Sequence, residues 1–295
     1  MPDEKYLDEA ECFRILLKNM GNRKLRCGRC GSPEYWSKPE RRIVICKNCR
    51  KERSPLSGTM FSRSHLTLRQ WFDIIRIMTN SPDIVVTAVA VRRMAEIGSY
   101  RTAWEAMRKI RWVIGRCESV GKLHGDVEFD ELVIDGDASE YRKLSILGAL
   151  ETGGQKRLSL VMVKNPDEMN IKGYFKKIFG AGVNAIIDNE KLYIRNWLEL
   201  NRIKQTSGRD YYGNSFMNIH IIMQDVKYGL KNGHFGVSEQ EIQSHLNEFS
   251  FIFNHNTERG RAFELLLSYM TKTGPSEYLR SKRGQGGVFR LFGIK

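Results

Sequence analysis

The stretch Asp126-Val127-Glu128-Phe129-Asp130-Glu131-Leu132-Val133-Ile134 decides the reading of the C-terminal half of this chain. Its alternation of polar and apolar side chains predicts a β-strand. Working outward, Lys143–Leu150 and Arg157–Val163 read as two further strands, with turn material at Gly136-Asp137 and Glu151-Thr152-Gly153-Gly154. A helix is expected from about Asp167 to Phe179, then a strand at Val183–Ile187 and a helix at Glu190–Leu200. On the first strand Asp130 shares a face with Glu128, Leu132 and Ile134, while Glu131 points the other way.

Three strands in succession, then helix, strand and helix, make an α/β catalytic domain of RNase H-like fold the leading candidate for this half. Asp188 ends the strand-like run Val183-Asn184-Ala185-Ile186-Ile187-Asp188. A third group comes from Asn218-Ile219-His220 and the helical run through Lys227. At about 100° per residue His220 and Lys227 differ by about 20° and stand roughly 10 Å apart on one helix face. Asp225 is turned about 140° from His220, which makes it a poor substitute ligand. Two carboxylates delivered from strands and a third ligand on a later helix suit divalent cations and phosphate chemistry.

Composition narrows the partner. The 295 residues hold 48 lysines and arginines against 34 acidic residues, a net charge of +14. Such an excess points to a polyanion, because neutralising phosphates releases counterions. No apolar run approaches the ~18 residues that span a bilayer, and the acidic start Met1-Pro2-Asp3-Glu4-Lys5 carries no signal-peptide core. The expectation is a cytoplasmic protein without a membrane partner, in a compartment where disulfides are rare.

Four of the six cysteines have another use. Cys27 and Cys30 form one C-x2-C pair, Cys46 and Cys49 a second, and the fifteen residues between the pairs suffice for a short hairpin. Four thiolates in tetrahedral geometry suit structural Zn2+. Arg23, Lys24, Arg26, Arg29, Arg41 and Arg42 crowd around this zinc ribbon, as do Lys47, Arg50, Lys51 and Arg53. They favour a DNA-backbone contact, although such ribbons also bind proteins. Cys12 and Cys117 lack partners at ligand spacing and read as buried thiols.

Beyond the ribbon, Leu66, Leu68, Trp71, Ile74, Ile75 and Met78 mark an amphipathic helix. Ser81-Pro82-Asp83 ends it and starts the next, Ile97-Gly98-Ser99-Tyr100 turns, and a basic helix follows over Arg101–Val113. One side of that helix carries Trp104, Met107, Ile110 and Val113, the other Arg101, Arg108, Lys109 and Arg111. The outline is helix-turn-helix-like; the same pattern also describes a plain helical connector. Ser99, Tyr100, Arg101, Thr102 and Arg108 are the DNA-reading candidates.

Several blocks together carry a resemblance. Phe129-Asp130-Glu131-Leu132-Val133-Ile134-Asp135-Gly136, Ile186-Ile187-Asp188-Asn189-Glu190 and the Asn218-Ile219-His220…Lys227 block follow one another in order. So do Leu246-Asn247-Glu248-Phe249 through Phe253-Asn254, and upstream the four-cysteine ribbon, Pro55–Phe61 and Trp71-Phe72. The chain thereby resembles insertion-sequence transposases with an N-terminal zinc ribbon and a DDE-type catalytic domain, the ISXO-two-like group related to the Merlin elements. The resemblance covers nearly the whole chain except its basic end.

That resemblance implies metal-dependent 3′-end cleavage at terminal inverted repeats and strand transfer into target DNA. It implies Mg2+ or Mn2+ held by Asp130, Asp188 and His220, with Lys227 on a phosphate near the scissile bond. The partners implied are double-stranded DNA and at least a second copy of the chain. The expected organisation is an N-terminal helix (1–20), zinc ribbon (21–60), helical DNA-binding module (61–120), catalytic domain (121–272) and basic tail, mobile when free (273–295). Tyr211-Tyr212-Gly213 and the tail (Arg280, Lys282, Arg283, Arg290, Lys295) are candidates for contacts with DNA or a second copy. A zinc-ribbon regulator with an inactive α/β domain, and a different nuclease of the same fold, are the competing readings.

Overall fold

A computed structural model describes residues 7–80, 86–118, 121–134, 144–154, 156–164, 168–187, 198–199, 203–207, 218–233, 239–255 and 260–282. They divide into two compact units. The first begins with α1 (Glu9–Leu25), whose N-terminus is capped by the Asp8 carboxylate accepting from the Glu11 N–H at 2.6 Å. Gly21, at φ 67°, breaks the helical backbone, so α1 is two helical segments that meet at a kink there. The ribbon is a three-stranded antiparallel sheet of β1 (Tyr35–Lys38), β2 (Ile43–Cys46) and β3 (Glu52–Arg53).

Three helices follow. In α2 (Leu68–Asn80) the expected stripe is buried, with Phe72 and Thr79 beside Trp71, Ile74, Ile75 and Met78. Helix α3 (Ala88–Met94) is capped by the Thr87 hydroxyl, which accepts from the Ala90 N–H at 3.2 Å. Helix α4 (Tyr100–Cys117) starts at Tyr100 rather than after it and runs four residues past Val113. Its faces differ from the sequence expectation at two places. Arg111 is buried, with a guanidinium N–H reaching the Val86 carbonyl at 3.5 Å, whereas Trp104 is only half-buried and lies under the Arg108 guanidinium at 4.6 Å. A long arginine stem can lie along apolar surface while its head reaches a carbonyl.

The second unit is built on a five-stranded mixed sheet in the order β6-β5-β4-β7-β8. Strands β4 (Asp126–Ile134), β5 (Leu144–Glu151) and β6 (Leu158–Lys164) pair antiparallel; β7 (Asn184–Ile187) runs parallel to β4, and β8 (Lys204–Ser207) parallel to β7. Strand β8 was not foreseen: Lys204-Gln205-Thr206-Ser207 has no apolar alternation, and an edge position beside β7 makes it a strand. Helix α5 (Glu168–Ile178) covers one face, over a core of Phe129, Leu147, Val161, Tyr174 and Phe175. Helices α6 (Asn218–Gly233) and α7 (Glu239–His255) contribute to the core on the other, with Ile146, Leu160, Met162, Ile219, Met223 and Leu246. The helix expected over Glu190–Leu200 lies outside the described residues except for Leu198 and Glu199, which are helical.

The chain then returns to the first unit with α8 (Arg261–Lys272) and α9 (Pro275–Lys282). This differs from a catalytic domain running to residue 272. Phe263 of α8 packs edge-on against Phe72, and the Met60 N–H donates to the Met270 carbonyl at 3.0 Å, so these helices complete the core of the helical module. The beginning of the basic tail is likewise ordered as α9: Tyr278 is buried edge-on against Trp112, and Arg116 pairs with Glu277 at 2.7 Å. Residues 283–295, with Arg283, Arg290 and Lys295, lie outside the described residues, as does Tyr211-Tyr212-Gly213. Cys12 is fully buried and Cys117 half-buried, with its sulfur 3.5 Å from the Thr273 hydroxyl. No described helix is long and apolar enough to cross a membrane.

Candidate functional site

Two clusters of chemistry-bearing side chains stand out, one in each unit. In the ribbon, Cys27 and Cys30 sit on one knuckle and Cys46 and Cys49 on another. The knuckles share a pattern: the Gly31 N–H donates to the Cys27 carbonyl at 2.8 Å, and the Arg50 N–H to the Cys46 carbonyl at 3.1 Å. Each turn closes with a left-handed residue directly after its second cysteine, Gly31 at φ 73° and Arg50 at φ 62°. Arg50 is held there with its guanidinium 4.4 Å over the Trp36 ring.

The result brings the four sulfurs within 4.8 Å of one another, with Cys27–Cys49 and Cys30–Cys46 both at 3.5 Å. Tetrahedral zinc with bonds of ~2.3 Å needs sulfurs ~3.8 Å apart, so the cluster fits such an ion. Backbone N–H groups of Cys30 and Arg29 pull the Cys27 thiol down to about 6, and that of Ser32 lowers Cys30. The Lys51 N–H favours a Cys49 thiolate, but burial and the three neighbouring sulfurs outweigh it and push that thiol up to about 11. Four adjacent sulfurs cannot all be charged without a cation among them, and a bound cation would reverse that balance. Among the described residues no other group of three or more His, Cys, Asp or Glu converges closely enough to hold one ion.

In the second unit the site is built where β4 meets the N-terminus of α6. Glu128 and Asp130 project from the same face of β4 toward this helix, as strand alternation requires. Buried Glu128 accepts from the Ile219 N–H at 2.8 Å and the Asn218 side-chain amide at 3.1 Å, which fixes the start of α6 against the strand. Two residues along, Asp130 Oδ2 lies 3.2 Å from His220 Nδ1, and Asp130 Oδ1 accepts from the Glu131 N–H at 2.8 Å. The other imidazole nitrogen is 3.4 Å from the Gln224 amide, one turn further along the helix.

Gly148, paired with Asp130 across β4 and β5, lets the helix come this close. A Cβ there would meet Met223 Sδ at 2.7 Å and Ile219 Cδ1 at 3.1 Å. His220, Gln224 and Lys227 follow one exposed stripe of α6, while Ile219, Met223 and Val226 form the buried one. Asp225 is exposed. Asp188 lies outside the described residues. The strand leading to it, β7, ends at Ile187, in register with Phe129, the residue immediately before Asp130.

Glu128, Gln224 and Gly148 are the contributions that sequence reasoning did not assign. Period-two spacing from Asp130 and period-four spacing from His220 were the available signals for the first two; nothing local marks Gly148. In the first unit Ser99, Tyr100 and Arg101 are exposed and Thr102 is half-buried, at the start of α4. No protein-family model matches this chain and no curated protein matches it.

Proposed function

We propose that this protein is a DNA transposase, with an RNase H-like catalytic unit and a ribbon-and-helix unit that binds DNA. The observation carrying this reading is the pairing of Asp130 with His220 from elements 90 residues apart in sequence. It occurs on the central strand of a sheet with three antiparallel strands followed by two parallel ones, an order compatible with an RNase H-like fold. Ligands at adjacent corners of an octahedral ion with ~2.1 Å bonds stand ~3 Å apart, and the 3.2 Å between Asp130 and His220 suits that spacing. Asp188, following a strand whose last residue pairs with Phe129, the neighbour of Asp130, is the proposed third ligand.

Paired Mg2+ or Mn2+ would supply activation of the attacking oxygen and stabilisation of the leaving one. Asp130 holds its carboxylate toward α6 through the Glu131 N–H, and Glu128 keeps the start of α6 in place. Lys227, on the same exposed stripe as His220, meets a phosphate near the scissile bond as a point charge. A neutral imidazole in place of a third carboxylate favours Mn2+ over Mg2+.

The test uses purified full chain and DNA ending in the inverted repeats that bracket its gene, with either metal. Nicking at those ends that Asp130→Ala abolishes is expected, with Mn2+ outperforming Mg2+. His220→Glu should keep or raise the Mg2+ activity. DNA that is bound at its ends but nicked with neither metal sinks the catalytic reading and leaves a DNA-binding regulator.

A further inference from the structure

Between the ribbon and the start of α2 the first unit has a half-open cavity of about 270 Å3. Its polar lining is Arg42, Arg63 and the hydroxyl-bearing Ser54, Ser57, Ser62 and Ser64, and no acidic residue lines it. Phe61 and Trp71, packed edge-on with ring centroids 5.7 Å apart, form part of an apolar floor. The volume is below the ~300–1,000 Å3 range of pockets for drug-sized ligands, so the occupant is small. Guanidinium and hydroxyl donors over an apolar floor suit a tetrahedral anion with short carbon substituents.

We infer that this cavity takes one phosphodiester of a DNA backbone. The donors are already committed to giving rather than accepting. Ser64 Oγ accepts from the Trp71 indole N–H at 3.0 Å and from the Leu66 N–H at 3.1 Å, which leaves its own proton to donate. Arg42 is steadied by one ion pair to Glu9 at 2.8 Å and keeps further donors for a ligand. Glu9 in turn accepts from the Leu68 and Arg69 N–H groups, both at 2.9 Å, so that carboxylate is occupied with positioning.

Arg63 is exposed, makes no ion pair among the described residues and sits at φ 55°, a conformation an arginine seldom adopts without a reason in its surroundings. A phosphate held here would lie at the joint between ribbon and helices and fix the register of DNA against both, the task that backbone contacts perform in sequence-reading proteins. The net charge of +14 is the long-range complement of this local site.

This rests on the DNA-binding part of the proposed function and not on its chemistry. The experiment measures binding of the full chain to a short duplex across a salt series, for wild type, Arg63→Gln, Arg63→Lys and the double variant Ser57→Ala/Ser62→Ala. Loss of one phosphate contact should flatten the log–log salt slope by about 1 in Arg63→Gln. Arg63→Lys should restore part of the slope, and the serine variant should weaken binding without changing it. In parallel, NMR of the Arg63 side-chain N–H follows titration with duplex and with inorganic phosphate; saturation by duplex at far lower concentration is expected.

An unchanged slope in Arg63→Gln with full zinc content and wild-type circular dichroism overturns the proposal. Saturation by inorganic phosphate as tight as by DNA also overturns it, in favour of a free-phosphate site. Asp130→Ala separates this outcome from that of the catalytic reading: it should retain wild-type binding and slope while losing nicking.

Discussion

Asp130 and His220 touch because smaller decisions beside them permit it. Gly148 is the clearest: opposite Asp130 in the sheet, it leaves room for Met223 and Ile219 to seat α6 directly on β5. Gly148→Val should cost about 1–3 kcal/mol through overpacking and lift His220 away from Asp130. Chemical denaturation should show a lower midpoint, and Mn2+ titration weaker binding. A variant with unchanged stability and unchanged Mn2+ affinity would show that α6 does not depend on this close approach. Gln224 acts on the other imidazole nitrogen and so bears on which nitrogen carries the proton.

At the scale of elements, α7 solves a problem that the sheet creates. Strand β6 is an edge, with a free row of backbone donors and acceptors. Side-chain amides of α7 engage them: the Asn254 carbonyl accepts from the Leu158 N–H at 2.7 Å while its amide donates to the Leu158 carbonyl at 2.9 Å, and Gln243 accepts from the Met162 N–H at 2.8 Å. Gln243 and Asn254 are eleven residues apart, close to three helical turns, so one stripe of α7 reads along the strand. Asn254→Ala leaves both Leu158 groups without that partner. It should destabilise the second unit by roughly 1–3 kcal/mol and accelerate exchange of the Leu158 amide; exchange at the wild-type rate would refute the capping role. In the sequence Asn254 stood only in the last block of the resemblance; neither its helix nor its meeting with β6 is marked by local pattern.

For the whole molecule, the division into two units has a physical consequence for metal removal. The ribbon sheet is small, with a two-residue third strand, and its knuckles close on the four sulfurs. The α/β unit has its own cores on both faces of its sheet. Stripping zinc with a chelator should therefore open the 27–49 segment to proteolysis and leave the thermal transition of the α/β unit in place. Metal analysis should find one zinc per chain before treatment. Resistance of the segment in metal-free protein would mean that the sulfurs are not what holds the ribbon.

Local periodicity and spacing already carry one part of this architecture. The two C-x2-C pairs define the sulfur cluster, alternation puts Glu128 and Asp130 on one face of a strand, and helical phase sets His220 and Lys227 on one stripe. Long-range packing set the features that depend on distant neighbours. It made Lys204–Ser207 a strand by placing it beside β7, and it buried Arg111 by offering a carbonyl. It also returned α8 and α9 to the first unit by packing Phe263 on Phe72 and Tyr278 on Trp112. Local pattern records what a residue prefers; long-range packing records what it meets, and a chain carries the second only once it has folded.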